Sequence, residues 1–242
     1  MRPSLTPIIA PIIGEQEDRP MPLVEHLAEL RTRLIWSLSI LGVGSLVVFH
    51  FSGDLLRWLA RPVGELVFVA PTEAFYTRCQ MAVFGGLVLT LPLLLHQAWL
   101  FAARALSRQW RSLLLRMVPA SYGLFLLGCS ICLFIVVPAA MKFLLSYGGE
   151  GLKPMLSLAA YLDFVTGLAL AFGGVFQLPL VLYALNRMGI LDKRTVTDYR
   201  RQVWFLCFVA AAFMTPGPDP ISQVSLALPA CVLFEITLLT LR

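Results

Sequence analysis

Residues 21–53 read MPLVEHLAELRTRLIWSLSILGVGSLVVFHFSG, and the two halves of this stretch follow different rules. In the first half, apolar side chains recur at Leu23, Leu27, Leu30 and Leu34, the spacing of one stripe along a helix. From Leu34 to Gly53 there is no acidic residue, lysine or arginine, and about 20 apolar residues are what a helix needs to cross a bilayer. An amphipathic surface helix thus leads into a membrane span. Glu25 and Glu29 stand one turn apart in the amphipathic half. Like charges at that spacing cost a helix about 0.2–0.5 kcal/mol, so the pair asks for a cation. Two readings are open: Glu29 pairs with Arg33 at i,i+4, or its carboxylate attracts a cationic ligand that the surrounding arginines repel.

The rest of the chain has the same character. Hydrophobic residues make up 58% and charged residues 14%, whereas a soluble domain carries about 25% charge. The formal charge of +5 does not indicate nucleic acid, because the basic residues fall between apolar segments. Uncharged runs at Leu34–Gly53, Cys79–Ala103, Met117–Met141 and Phe164–Asn186 are each long enough to span. Val203–Met214 is shorter, 12 residues or about 18 Å of helix. TPGPDP at Thr215–Pro220 breaks it from a last run, Ile221–Leu241, that contains Glu235. These two segments form either a re-entrant hairpin or two short crossings of a thinned membrane.

Arg2, Arg19, Arg31, Arg33, Arg104, Arg108, Arg111, Arg116, Arg187, Lys193, Arg194, Arg200, Arg201 and Arg242 share one side in this reading, fourteen of the nineteen basic residues. The positive-inside rule places that side, with both termini, in the cytoplasm and requires an even number of crossings. Pro92, Pro119, Pro138, Pro179 and Pro229 lie in or beside spans and predict bent helices. Residues 1–20 lack the apolar core of a cleavable signal and read as a flexible tail, leaving 21–242 as one membrane domain. All five cysteines lie in apolar segments, as packing residues rather than metal ligands or disulfides. A small-solute transporter is disfavoured because no internal repeat or mid-membrane charge pair is visible. An intramembrane enzyme would need a Ser/His, paired-aspartate or H-E-x-x-H constellation, and no span supplies one.

The motif P-L-V-E-H-L-A-E-L-R-T-R-L resembles the amino-terminal signature of the TatC family, the polytopic subunit of the Sec-independent, twin-arginine protein translocase. Further matches follow in order: A-P-T-E-A-F at Ala70–Phe75, H-Q-A-W-L-F at His96–Phe101, F-Q-L-P at Phe176–Pro179, M-G-I-L at Met188–Leu191, T-P-G-P-D-P-I-S-Q at Thr215–Gln223, and L-P-A-C-V-L-F-E at Leu228–Glu235. The resemblance implies an all-α membrane protein of six transmembrane helices in a concave, cup-like arrangement. The last two helices would be short and both termini cytoplasmic, in the bacterial cytoplasmic (inner) membrane. It also implies a receptor without catalytic residues or cofactors. Such a receptor binds twin-arginine signal peptides of folded precursors and transports them with TatA/TatB-type single-span partners, driven by the proton-motive force, as a homo-oligomer in membrane lipid.

Carried over residue by residue, the signal-binding set is Leu23, His26, Glu29, Arg31 and Phe101, and the partner-facing or intramembrane polar set is Gln177, Thr215 and Gln223. In one place the sequence departs from the family pattern. Where the first cytoplasmic loop of relatives has a proline and, six residues on, a glutamate, this chain has Arg104 and Trp110. Trp110 either stacks on a guanidinium or anchors the third span at the interface, and Glu25 is a candidate replacement for the missing charge. Gln177 either satisfies a carbonyl freed near Pro179 or presents a polar point to a partner. Asp219 is expected to cap the last helix, and Glu235 to snorkel to the surface.

Overall fold

The structure, a computed structural model, describes residues 23–64, 66–104, 108–147, 155–215 and 219–240. The 1–20 tail lies outside the described residues, as do the side chains of Leu23, Glu25, Arg104 and Trp110. Helix α1 (Leu23–Ala60) joins the surface helix and the first span without a break. A two-residue strand β1 (Leu66–Val67) leads to α2 (Pro71–Arg104). The third apolar run is α3 (Arg108–Ile131), a π-helical turn (Cys132–Val136) and α4 (Val137–Ser146). After β2 (Leu156–Ser157) come α5 (Leu158–Val175) and α6 (Leu178–Arg187), a short α7 (Lys193–Asp198), α8 (Arg200–Met214) and α9 (Pro220–Thr240).

Among the described residues five segments are long and apolar enough to cross a membrane: His26–Ala60, Pro71–Phe101, Arg116–Ser146, Leu158–Arg187 and Pro220–Thr240. The 15 residues of α8 reach about 22 Å, short of a hydrocarbon core of about 30 Å. Large apolar side chains cover the outside, Leu46 at 76%, Phe213 at 87% and Leu239 at 82% exposure among them. Water would not tolerate so much exposed apolar surface on a monomer, but lipid does.

Pro138 and Pro179 leave a local mark, whereas Pro92, Pro119 and Pro229 lie inside continuous helices. Pro138 has no N–H to donate, and the turn before it widens so that the Val137 N–H reaches back to the Cys132 carbonyl. Pro179 sits in the first turn of α6, where its missing N–H costs least, and the chain breaks just before it at Phe176 and Gln177. The β1–β2 ladder is parallel, pairing Leu66 with Leu156 and Val67 with Ser157. It is the one departure from an all-helical fold among the described residues.

Helix α5 forms the centre, with Leu162, Val165, Leu168 and Phe172 fully buried against residues such as Met81 and Cys132 of its neighbours. Lipid is as apolar as leucine, so close van der Waals packing holds these helices together rather than exclusion of water. Small residues make that contact possible. A Cβ on Gly86 would lie 2.6 Å from the backbone nitrogen of Ser45, and one on Gly128 2.8 Å from the Phe172 carbonyl oxygen. Helices α1 and α2 therefore touch backbone to backbone at Gly86. Gly86→Val is expected to lower stability by about 1–3 kcal/mol through overpacking. Thermal unfolding in detergent checks this, and an unchanged midpoint would mean that the helices part without cost.

Candidate functional site

Helices α1 and α2 run antiparallel, so contacts pair rising numbers on one with falling numbers on the other: His26 with Phe101, Arg33 with Gln97, Ser45 with Gly86. This register brings the amphipathic start of α1 against the end of α2. The imidazole of His26 stacks on the Phe101 ring at 4.4 Å between centroids, with planes 23° apart. Two turns further on, Arg33 Nε donates to Glu29 Oε1 at 2.8 Å and Arg33 Nη1 to Gln97 Oε1 at 2.5 Å. The side chains of Glu29 and Arg33 are only 7% and 17% exposed. Arg31 lies on an exposed face.

The structure thus gathers His26, Glu29 and Phe101 at one end of the hairpin and adds Arg33 and Gln97. Gln97 escaped the sequence reading although it stands in the H-Q-A-W-L-F motif, one helical turn before Phe101. Charge dominates this cluster: a carboxylate held in a recess between two helices, with a planar aromatic pair beside it. It suits a planar, multidonor cation.

The second predicted set is dispersed. Gln177 lies in the turn between α5 and α6, where its backbone N–H closes onto the Gly174 carbonyl rather than that of Gly173. Its side-chain amide donates to the Gly173 carbonyl at 3.4 Å and to the Ser121 carbonyl of α3 at 3.0 Å, while the Ser121 hydroxyl donates to Gln177 Oε1. The amide therefore satisfies backbone left open by the break, the first of the two roles considered for it, and ties α3 to the α5–α6 turn. Gln223 donates to the Phe208 carbonyl of α8 at 3.4 Å, and the Thr215 N–H ends α8 on Ala211. No hydrogen bond among the described residues joins Gln177 to Thr215 or Gln223.

Asp219 caps α9, accepting from the Ser222 N–H at 2.7 Å, as its position before Pro220 suggests. Glu235 differs from expectation. It does not simply reach for the surface but accepts from Arg200 Nε at 2.6 Å and Trp204 Nε1 at 2.8 Å, fastening α9 to α8. An ion pair that also satisfies an indole N–H is a better solution for a carboxylate near the apolar zone than a stretched side chain.

At the far end of the bundle, Glu73 at the start of α2 accepts four hydrogen bonds. Its Oε2 takes the N–H groups of Val69 at 2.6 Å and Ala70 at 3.4 Å. Its Oε1 takes the Ser157 hydroxyl at 2.7 Å and the Ala159 N–H at 2.8 Å. Gln80 donates to Asp163 and Thr166, and the Tyr161 hydroxyl to the Leu59 carbonyl, across the same junction.

These features meet a consistent set of relatives. A family model described as Sec-independent protein translocase protein (TatC) matches residues 25–229. The TatC protein of Carboxydothermus hydrogenoformans is 36% identical over 226 residues, covering 92% of this chain and 93% of the relative. That of Aquifex aeolicus is 34% identical over 226 residues, covering 90% and 93%. A crystal structure of the twin arginine translocase receptor TatC in DDM superposes with a TM-score of 0.79 at 33% identity, covering 90% of this chain and 99% of the other. The chain is a multi-pass membrane protein and belongs to the TatC family of Sec-independent protein translocase components.

Proposed function

We propose that this protein is the receptor subunit of a twin-arginine translocase, binding the signal peptides of folded precursors at the α1–α2 recess. Glu29 is the recognition carboxylate, and Leu23, His26, Arg31 and Phe101 complete the signal-binding set. The observation that supports this most is the burial of Glu29 beside the His26–Phe101 stack, since a recessed carboxylate forms stronger charge-assisted hydrogen bonds than an exposed one. A guanidinium fits both parts of the recess, bonding to the carboxylate through its N–H fork and lying flat on an aromatic face.

The same reading takes α8 as a short fifth crossing and α9, whose 21 residues are longer than the sequence led one to expect, as a full sixth crossing in a cup-shaped fold, with both termini in the cytoplasm of a bacterial inner membrane. Thr215 and Gln223 lie at the turn between them, where a TatA-type or TatB-type helix docks. Gln177 braces the concave face by tying α3 to the α5–α6 turn, and the proton-motive force drives transport. A partner with an equally short span gathers where the bilayer thins to match α8, at a fraction of a kcal/mol per Å.

A photo-reactive side chain at Leu30, the exposed neighbour of Glu29, tests the assignment. It is expected to label a precursor carrying two arginines and to miss the same precursor carrying two lysines. Equal labelling of both would remove arginine recognition from this site.

A further inference from the structure

We infer that Arg33 is a built-in stand-in for the ligand: it holds Glu29 until an arginine of the signal peptide displaces it. This deepens the recognition reading above and rests on it. The sequence left two roles open for Glu29, internal partner of Arg33 or attractor of a ligand, and the geometry makes them two states of one site.

Three observations carry the inference. The Glu29 side chain is 7% exposed, and a carboxylate withdrawn from water this far is strongly destabilised when no cation faces it. An empty receptor therefore needs internal cations, and among the described residues Arg33 Nε supplies one at 2.8 Å from one turn along α1. Arg33 also has a second, neutral partner on the other helix, since its Nη1 donates to Gln97 Oε1. When a ligand guanidinium takes over the carboxylate, Arg33 keeps Gln97 and need not be left bare. The exchange replaces one guanidinium–carboxylate bond by another, so binding is reversible by design. A lysine ammonium, a compact point charge without the planar fork, competes poorly against an arginine already in place.

Competition makes a prediction that a bracing role does not. If Arg33 competes for Glu29, removing it strengthens every ligand that uses Glu29, and by the same factor, because each ligand displaced the same group. The full-length protein in lipid nanodiscs would be titrated with fluorescent signal peptides bearing either two arginines or two lysines. Arg33→Gln is expected to tighten both by about tenfold, the loss of one charge-assisted bond from the competing side, and to bring the lysine peptide into measurable range. In an E29Q background the same change is expected to do nothing. Arg33→Lys, which keeps the charge but loses the fork, is expected to tighten binding by less than Arg33→Gln, and it serves as the second variant should Arg33→Gln fold poorly.

Weaker or unchanged arginine-peptide binding in both Arg33 variants, with E29Q still defective, would show that Arg33 only braces the recess and would overturn the inference while leaving the recognition reading intact. Undiminished binding by E29Q alone would overturn the recognition reading, and the inference with it.

Discussion

Glu29→Gln is expected to weaken twin-arginine peptide binding by about 10- to 100-fold, the range spanned by one hydrogen bond to a charged group, and to reduce export of folded passengers to near background. The substitution isolates charge. A glutamine at this position retains an oxygen that can accept from Arg33 Nε, as Glu29 Oε1 does at 2.8 Å, so the hairpin keeps its shape and the helix its side-chain volume. What goes is the negative charge in a recess that shields it from water and salt, where a Coulomb interaction is worth several times its value at the surface. Two assays check it together: anisotropy of a labelled signal peptide on the purified protein, and appearance of a cofactor-loaded reporter outside the cytoplasm. Full export with Glu29→Gln would mean that the conspicuous carboxylate of the α1–α2 recess has no part in recognition. A weak salt dependence of the wild-type affinity is expected too, because exposed charge pairs are screened over about 8–10 Å and recessed ones much less.

The membrane architecture was readable because lipid imposes a simple rule. Every backbone polar group must be satisfied within the helix, so runs such as Leu34–Gly53 and Cys79–Ala103 can only be helical, and α1 and α2 contain them whole. The prolines announced bends at α4 and α6 but not their form. A π-helical turn at Cys132–Val136 and a two-residue break at Phe176–Gln177 depend on which neighbouring group takes up the released carbonyl, and that is a tertiary fact. The parallel pairing of β1 with β2 was illegible for the same reason, since two residues on each side have no periodicity of their own.

The site was half readable. His26 and Glu29 could be placed on α1, and Phe101 on α2, by motif, but Gln97 became visible only once the antiparallel register of α1 against α2 was known. That register is set far from the site, where Gly86 admits the Ser45 backbone. Helical spacing alone did suggest the Glu29–Arg33 pair, yet it gave no measure of burial, and burial is what separates this pair from a commonplace exposed i,i+4 pair. Ser121 was likewise silent as a letter, although its hydroxyl and carbonyl are what hold Gln177.

The largest effect on stability is expected at Glu73, in the A-P-T-E-A-F stretch. Its carboxylate joins three chain segments: the approach to α2 through Val69 and Ala70, the amino-terminal cap of α5 through Ser157, and the first turn of α5 through Ala159. Glu73→Ala removes the one acceptor that three N–H groups and a hydroxyl share, so the three segments lose their common tie, and hydrogen bonds to a charged group contribute more than neutral ones. Glu73→Gln is expected to be nearly as harmful, since its amide would turn donors toward donors on one side. Glu73→Asp is shorter by one methylene and is expected to keep contact with one segment only. All three should lower the unfolding midpoint in detergent by more than Gln80→Ala, which removes hydrogen bonds from the same junction but frees no backbone N–H. The recess that holds Glu29 lies 28 residues along α2 from Glu73 when measured at Phe101, or about 42 Å of helix. Peptide affinity of the folded fraction should therefore stay at the wild-type value. A Glu73→Ala protein that melts with the wild type would show that the β1–β2 ladder and the packing of α5 hold this end unaided. One that is stable but fails to bind peptide would place Glu73 in recognition rather than in the clasp.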